Sequence, residues 1–164
     1  YTMYGKGFFF KMKEVQTCMR VIGIGLDLVE VDRIAKAIER PRFVERVYTP
    51  GEIAACEGRG AGRAASYAAR FAAKEAFLKA LGTGLRGGTL QDVEVLNDIV
   101  GKPKLIVHGY FRELASKHGV VDIHLSLTHT KMYAAAQCLL WGTEGEEHAS
   151  CDSSADAGLR SNHH

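Results

Sequence analysis

From Ala64 to Leu81 the chain is dominated by Ala, Leu, Lys, Glu, Arg and Phe, with no glycine or proline, and Gly82 and Gly84 follow at once. Such residues lose little on entering a helix, and glycine suits the left-handed cap that ends one. The pattern predicts one long helix over 64–81, and every other element has to be arranged around it. At 164 residues and 17.9 kDa the chain is sized for one compact domain. Its 46% hydrophobic and 24% charged residues exclude wholesale disorder and collagen-like sequence. With 21 Lys and Arg against 19 Asp and Glu, the net charge of +2 is too small for a general polyanion binder, so no nucleic-acid partner is expected.

Ahead of the helix, residues Val21 to Leu28 alternate. Ile22, Ile24, Leu26 and Leu28 share one face, and Val21, Gly23, Gly25 and Asp27 share the other, which is the period of a strand ending in a carboxylate. Val31, Ile34, Ala35 and Ile38 then recur at helical spacing, with Arg33, Lys36 and Arg40 on the polar side and Pro41 as the stop. Thr49, Pro50 and Glu52 fit a capping box that opens a helix over 51–57. After the long helix, 93–96 and 104–107 read as a hairpin that turns at Gly101. Residues 110–118 read as a helix ended by Gly119. Val121, Ile123, Leu125 and Leu127 alternate with Asp122, His124, Ser126 and Thr128 in a further strand that runs into His129, and 133–141 is an apolar strand paired with it. The expected class is α+β, an antiparallel sheet packed against a long helix.

The ends differ from this body. Residues 142–164 are rich in Gly, Ser, Asp, Glu and His and read as a flexible tail, whereas 1–18 read as an N-terminal extension or an expression remnant, leaving 19–141 as the domain. Phe8 to Phe10 are cut off by Lys11, Lys13 and Glu14, too soon for a secretory core, and no apolar run approaches the roughly 20 residues that span a bilayer. No membrane association is expected, and the cytoplasm is the expected compartment. Cys18, Cys56, Cys138 and Cys151 form no C-x-x-C pair, which argues against a zinc site or a disulfide framework.

Two carboxylates carry the chemistry. Glu75 shares a helix face with Phe71 and Leu78, and Lys79 stands one turn further on; a carboxylate in apolar company acquires a cation, a metal or a raised pKa. The bland alternative is an exposed Glu75–Lys79 pair, worth about 0.3–0.5 kcal/mol. Asp27 lies on the strand face of Gly23 and Gly25, where a ligand or another backbone can come close, and it serves equally well as a cap for a helix starting near Val29. Gly23-Ile24-Gly25 does not extend to a dinucleotide fingerprint, because position 28 is Leu28. Asp27 and Glu75 together suit a hard divalent cation with positions left for phosphate oxygens, and Arg70, Lys74, Lys79 and the Gly82-Thr83-Gly84 turn offer cations and N–H groups along the same helix. Ser126 and His129 do not make a hydrolase, since no G-x-S-x-G elbow surrounds the serine.

Three stretches in order resemble the motifs of one family: 23–30, reading GIGLDLVE; 70–84, reading RFAAKEAFLKALGTG; and 125–130 with 133–136, reading LSLTHT and YAAA. The resemblance is to holo-acyl-carrier-protein synthase, the small bacterial type of 4'-phosphopantetheinyl transferase, and it covers about 19–141. It implies transfer of phosphopantetheine from coenzyme A to a serine of apo acyl carrier protein, with adenosine 3',5'-bisphosphate released. It implies Mg2+ on Asp27 and Glu75, with Mn2+ able to substitute, and Lys79 neutralising the transferred phosphate. It sets Arg70, His129 and the Gly82, Thr83, Gly84 turn near coenzyme A. The attacking serine belongs to the partner, and its proton goes to Glu75 or to a metal-bound water.

Carriers of this kind are acidic around their serine, so Arg33, Lys36 and Arg40 are the expected docking stripe, Arg33 foremost. The resemblance also implies a homotrimer with sites at the subunit junctions. The rival readings are a catalytically inactive module that binds coenzyme A or trimerises, and a general Mg2+ phosphohydrolase.

Overall fold

The computed structural model describes residues 18–143. β1 (Arg20–Glu30) leads directly into α1 (Val31–Ile38), α2 (Pro41–Val47) and α3 (Pro50–Glu57), and α4 (Arg63–Leu81) follows a short 3-10 turn. A second 3-10 turn at Leu90–Asp92 opens the hairpin of β2 (Val93–Asn97) and β3 (Pro103–Val107); α5 (Gly109–Lys117), β4 (Val120–His129) and β5 (Tyr133–Gly142) complete the domain. One antiparallel sheet has the order β1-β5-β4, and β2-β3 form a second. The fold is α+β, an antiparallel sheet packed against a long helix. The expectations for 1–17 and 144–164 lie outside the described residues, and β5 carries regular pairing one residue into the expected tail, with Gly142 opposite Arg20 and Val120.

α4 crosses the inner face of the sheet. Alternate residues of β5, Ala134, Ala136, Cys138 and Leu140, are buried beneath it, and Ala68, Ala69, Ala72, Ala73, Ala76 and Ala80 are the small side chains the helix returns. Larger groups fill the flank, where Phe77 meets Phe111 edge-on and Tyr48 meets Tyr67. Gly82 caps the helix at φ 77°, donating to the carbonyls of Leu78 and Lys79.

β1 turns its glycine face to α4, as the expected close approach of another backbone requires. Its apolar column is the outer one: Ile24, Leu26 and Leu28 are 59%, 64% and 65% exposed, while the inner column is Gly25, Asp27 and Val29. The glycines explain this arrangement. A methyl on Gly23 would collide with the backbone oxygen of Ala80, and one on Gly25 with that of Ala76, so this face admits helix backbone and nothing larger.

Pro41 does stand beyond the end of α1, but as the first residue of α2, a helix the pattern did not disclose; its missing N–H costs nothing there. Asp27 is not a cap either, because α1 begins at Val31 and its N-cap is Glu30, without a side-chain cap bond. The capping box at Thr49 is present, with reciprocal bonds between Thr49 and Glu52.

Candidate active site

The glycine contacts set the site. Strand and helix run antiparallel, Gly23 against Ala80 and Gly25 against Ala76, so the next inward residue, Asp27, comes level with the turn that carries Glu75. Helix side chains tilt toward the N-terminus, and Lys79 therefore reaches back along α4. Its Nζ donates to Asp27 Oδ1 at 2.8 Å and to the Leu26 carbonyl oxygen at 3.1 Å. The intrahelical Glu75–Lys79 pair is thus not the arrangement adopted, since the ammonium crosses to the strand.

Glu75 is half-buried beside this pair. Burial, and then the Asp27 carboxylate, raise its pKa above the ordinary glutamate value, with Lys79 and Arg33 opposing. Asp27, Lys79 and Arg33 thus all act on Glu75, and the exposed polar side of α1 comes near it through Arg33. These are the two side chains that could hold a hard cation, Asp27 from the strand and the partly desolvated Glu75 from the helix. Among the described residues no third His, Cys, Asp or Glu joins them in one cluster.

Other expected residues lie elsewhere. Arg70 is 4% exposed, and its guanidinium is committed to the protein: Nε donates to the Val95 carbonyl, Nη1 to Ser66 Oγ at 2.7 Å and Nη2 to Asn97 Oδ1 at 3.1 Å. It clamps α4 to β2 and is not brought to the carboxylate pair. Lys74 is fully buried as well. Its Nζ donates to Glu52 Oε2 at 2.6 Å, to the Val47 carbonyl at 2.7 Å and to the Leu90 carbonyl at 2.9 Å. Burial pulls the Lys74 ammonium below its ordinary value and Glu52 opposes that pull. Of the three expected cations on α4, Arg70, Lys74 and Lys79, only Lys79 is presented to solvent at the site.

His129 ends β4, on the far side of β5 from β1. It pairs with Ala134 while Asp27 pairs with Ala136, so two inter-strand spacings, about 10 Å or more, separate it from Asp27 within one chain. The Gly82–Gly84 turn, with Leu85, Arg86 and Tyr110, lines an open cleft beyond the C-terminus of α4. Arg33, Lys36 and Arg40 are exposed as expected. A groove of about 630 Å3 lies alongside, floored by Phe43, Val47 and Leu90 and rimmed by Arg40, Arg42 and Arg46. The last two were missed because α2 was missed. Pro41 at a first helical position, with arginines four apart behind it, was the available signal.

The family model described as the 4'-phosphopantetheinyl transferase superfamily matches residues 23–138. A holo-[acyl-carrier-protein] synthase of Solibacter usitatus is 52% identical over 123 residues, covering 73% of this chain and 98% of that protein. Among solved structures, a holo-(acyl-carrier-protein) synthase from Bacillus anthracis in complex with CoA (3',5'-ADP) superimposes with a TM-score of 0.64 at 38% identity over 77% of this chain and 100% of that one. The Plasmodium yoelii acyl carrier protein synthase with ADP bound gives 0.69 at 35% identity, over 77% and 99%. The chain belongs to the 4'-phosphopantetheinyl transferase superfamily. Its kin within it are the holo-[acyl-carrier-protein] synthases, and it is an enzyme of that kind.

Proposed function

We propose that this protein moves the 4'-phosphopantetheine group of coenzyme A onto a serine of an apo acyl carrier protein, using Mg2+ at Asp27 and Glu75 and releasing adenosine 3',5'-bisphosphate. The observation that carries the reading is the meeting of Asp27 from β1 with Glu75 and Lys79 from α4, beside the exposed cationic side of α1. Bound Mg2+, or Mn2+ in its place, would neutralise pyrophosphate oxygens and fix their direction. Lys79 supplies a mobile positive charge at the mouth of the seam. Glu75, with its raised pKa, is suited to accept the serine proton, directly or through water. No protein nucleophile is needed, because phosphoryl transfer depends mainly on positioning and charge stabilisation. Thr83 and the flanking glycines offer backbone N–H groups to a phosphorylated ligand.

Arg33, Lys36 and Arg40 form the proposed docking face for the acidic carrier, and α2 extends it with Arg42 and Arg46. Arg70 supports the site from the core in place of touching coenzyme A. A homotrimer is part of the proposal. The outward column of Ile24, Leu26 and Leu28 on an edge strand is an apolar surface that favours a partner, and the β4 edge of a second copy beside β1 would carry its His129 toward Asp27.

The test is intact-mass spectrometry of an apo carrier protein incubated with the full chain and coenzyme A, with Mg2+ and then with excess EDTA. One phosphopantetheine added to the carrier, abolished by chelation and cut by about two orders of magnitude in Glu75→Gln, is the expected result. Binding of coenzyme A without transfer to any carrier would favour the inactive module, and free phosphopantetheine released without a carrier would favour the phosphohydrolase.

A further inference from the structure

Lys79 is 54% exposed along its side chain, whereas its partner Asp27 is only 15% exposed. The carboxylate is fixed by the strand–helix seam, and the ammonium comes to it from the solvent side on a flexible stem. Its two acceptors, Asp27 Oδ1 and the Leu26 carbonyl oxygen, lie on the strand. Glu75, one turn back on the helix, shares the fields of both Asp27 and Lys79. An exposed pair of this type is weak and easily exchanged. A divalent ion shared by Asp27 and Glu75 would lie within a few ångströms of Nζ, where like charges repel and Asp27 gains more from the higher charge.

We infer that the Lys79 ammonium and a divalent cation compete for the Asp27 carboxylate, so that cation loading turns Lys79 off β1 and outward to the mouth of the seam, where ligand phosphates would meet it. The inference rests on the reading of Asp27 and Glu75 as cation ligands. Lys79 then holds two positions, on Asp27 or on a phosphate, and the cation selects between them. By linkage, cation and phosphate ligand each strengthen the binding of the other beyond any direct bond between them. Arg33 also acts on Glu75 but has no bond to Asp27, which makes it the control for charge removal at a distance.

The experiment is Mn2+ binding to the full chain at neutral pH, without coenzyme A, followed by the electron paramagnetic resonance signal of free Mn2+. It compares the natural chain with Lys79→Met, Lys79→Gln, Arg33→Met and Asp27→Asn. Both Lys79 variants should bind Mn2+ about fivefold more tightly, the factor an exposed pair can supply. Arg33→Met should gain less than about twofold, because its charge is screened and not in contact. Unchanged or weaker binding in the Lys79 variants, or an equal gain in Arg33→Met, would overturn the competition while leaving the cation site in place. Absence of Mn2+ binding by the natural chain, or binding indifferent to Asp27→Asn, would remove the cation reading and the inference with it.

Discussion

α4 carries two lysine–carboxylate pairs of nearly the same length and opposite character. Lys74–Glu52 closes at 2.6 Å with both side chains at 0% exposure; Lys79–Asp27 closes at 2.8 Å with 54% and 15%. The inner pair is saturated, because Lys74 also holds the carbonyls of Val47 and Leu90 while Glu52 accepts from the backbone N–H of Thr49 and Val95. The end of α2, the start of α3, the 3-10 turn before β2, and β2 itself are thereby joined to α4 through one ammonium. The outer pair joins only α4 to β1 and faces water. Position along one helix, five residues apart, separates a group that holds the fold from one free to act.

The comparison breaks first at Lys74. Lys74→Met should lose about 3–5 kcal/mol of stability by chemical denaturation, since Glu52 would be left buried without its cation, while Lys79→Met should move stability by no more than about 1 kcal/mol. Equal losses would mean that the outer pair is structural after all. Recovery of most of the loss in Glu52→Gln with Lys74→Met would sharpen the contrast, because a buried pair replaced as a unit is often neutral.

Arg33→Glu tests the surface beside the outer pair. It should raise KM for the carrier by roughly tenfold and steepen its salt dependence, with kcat held within about twofold. An equal fall in kcat would assign Arg33 to the chemistry and not to docking.

The smallest effect concerns Glu75 and pH. Its folded pKa is raised above the ordinary 4.5, so its contribution to stability is fully present below that value and is lost as pH rises through the folded pKa. Glu75→Gln should therefore raise the melting temperature at pH 7 to 8, with the gain shrinking to nothing below about pH 4.5. A constant difference across the range would point to packing as the cause.

Much of this was legible in residue order. The long helix, its glycine cap, the hairpin at Gly101 and the capping box at Thr49 are local events, set by propensity and turn chemistry within a few residues, and local patterns announce them. Asp27 and Glu75 stood out because each is a carboxylate amid small or apolar neighbours. What residue order concealed depended on contacts far along the chain. Glu52 read as a cap residue, and nothing nearby disclosed the lysine 22 positions on that it would meet in the core. Arg70 and Lys74 looked like ligand cations because helical spacing fixes a face but not what covers it. Alternation separated the Ile24, Leu26 and Leu28 column of β1 from the column of Gly23, Gly25 and Asp27, but it cannot tell a face that meets a helix from one left for a partner.

The glycine seam has a consequence for how this site tolerates change. Between β1 and α4 the surfaces in contact are peptide groups, and peptide groups do not vary with side-chain identity. The backbone spacing from which Asp27 and Glu75 project is therefore set by the atomic radii of the main chain. Any side chain at Gly23 or Gly25 would push the helix off the strand, so these two positions hold the spacing of the seam.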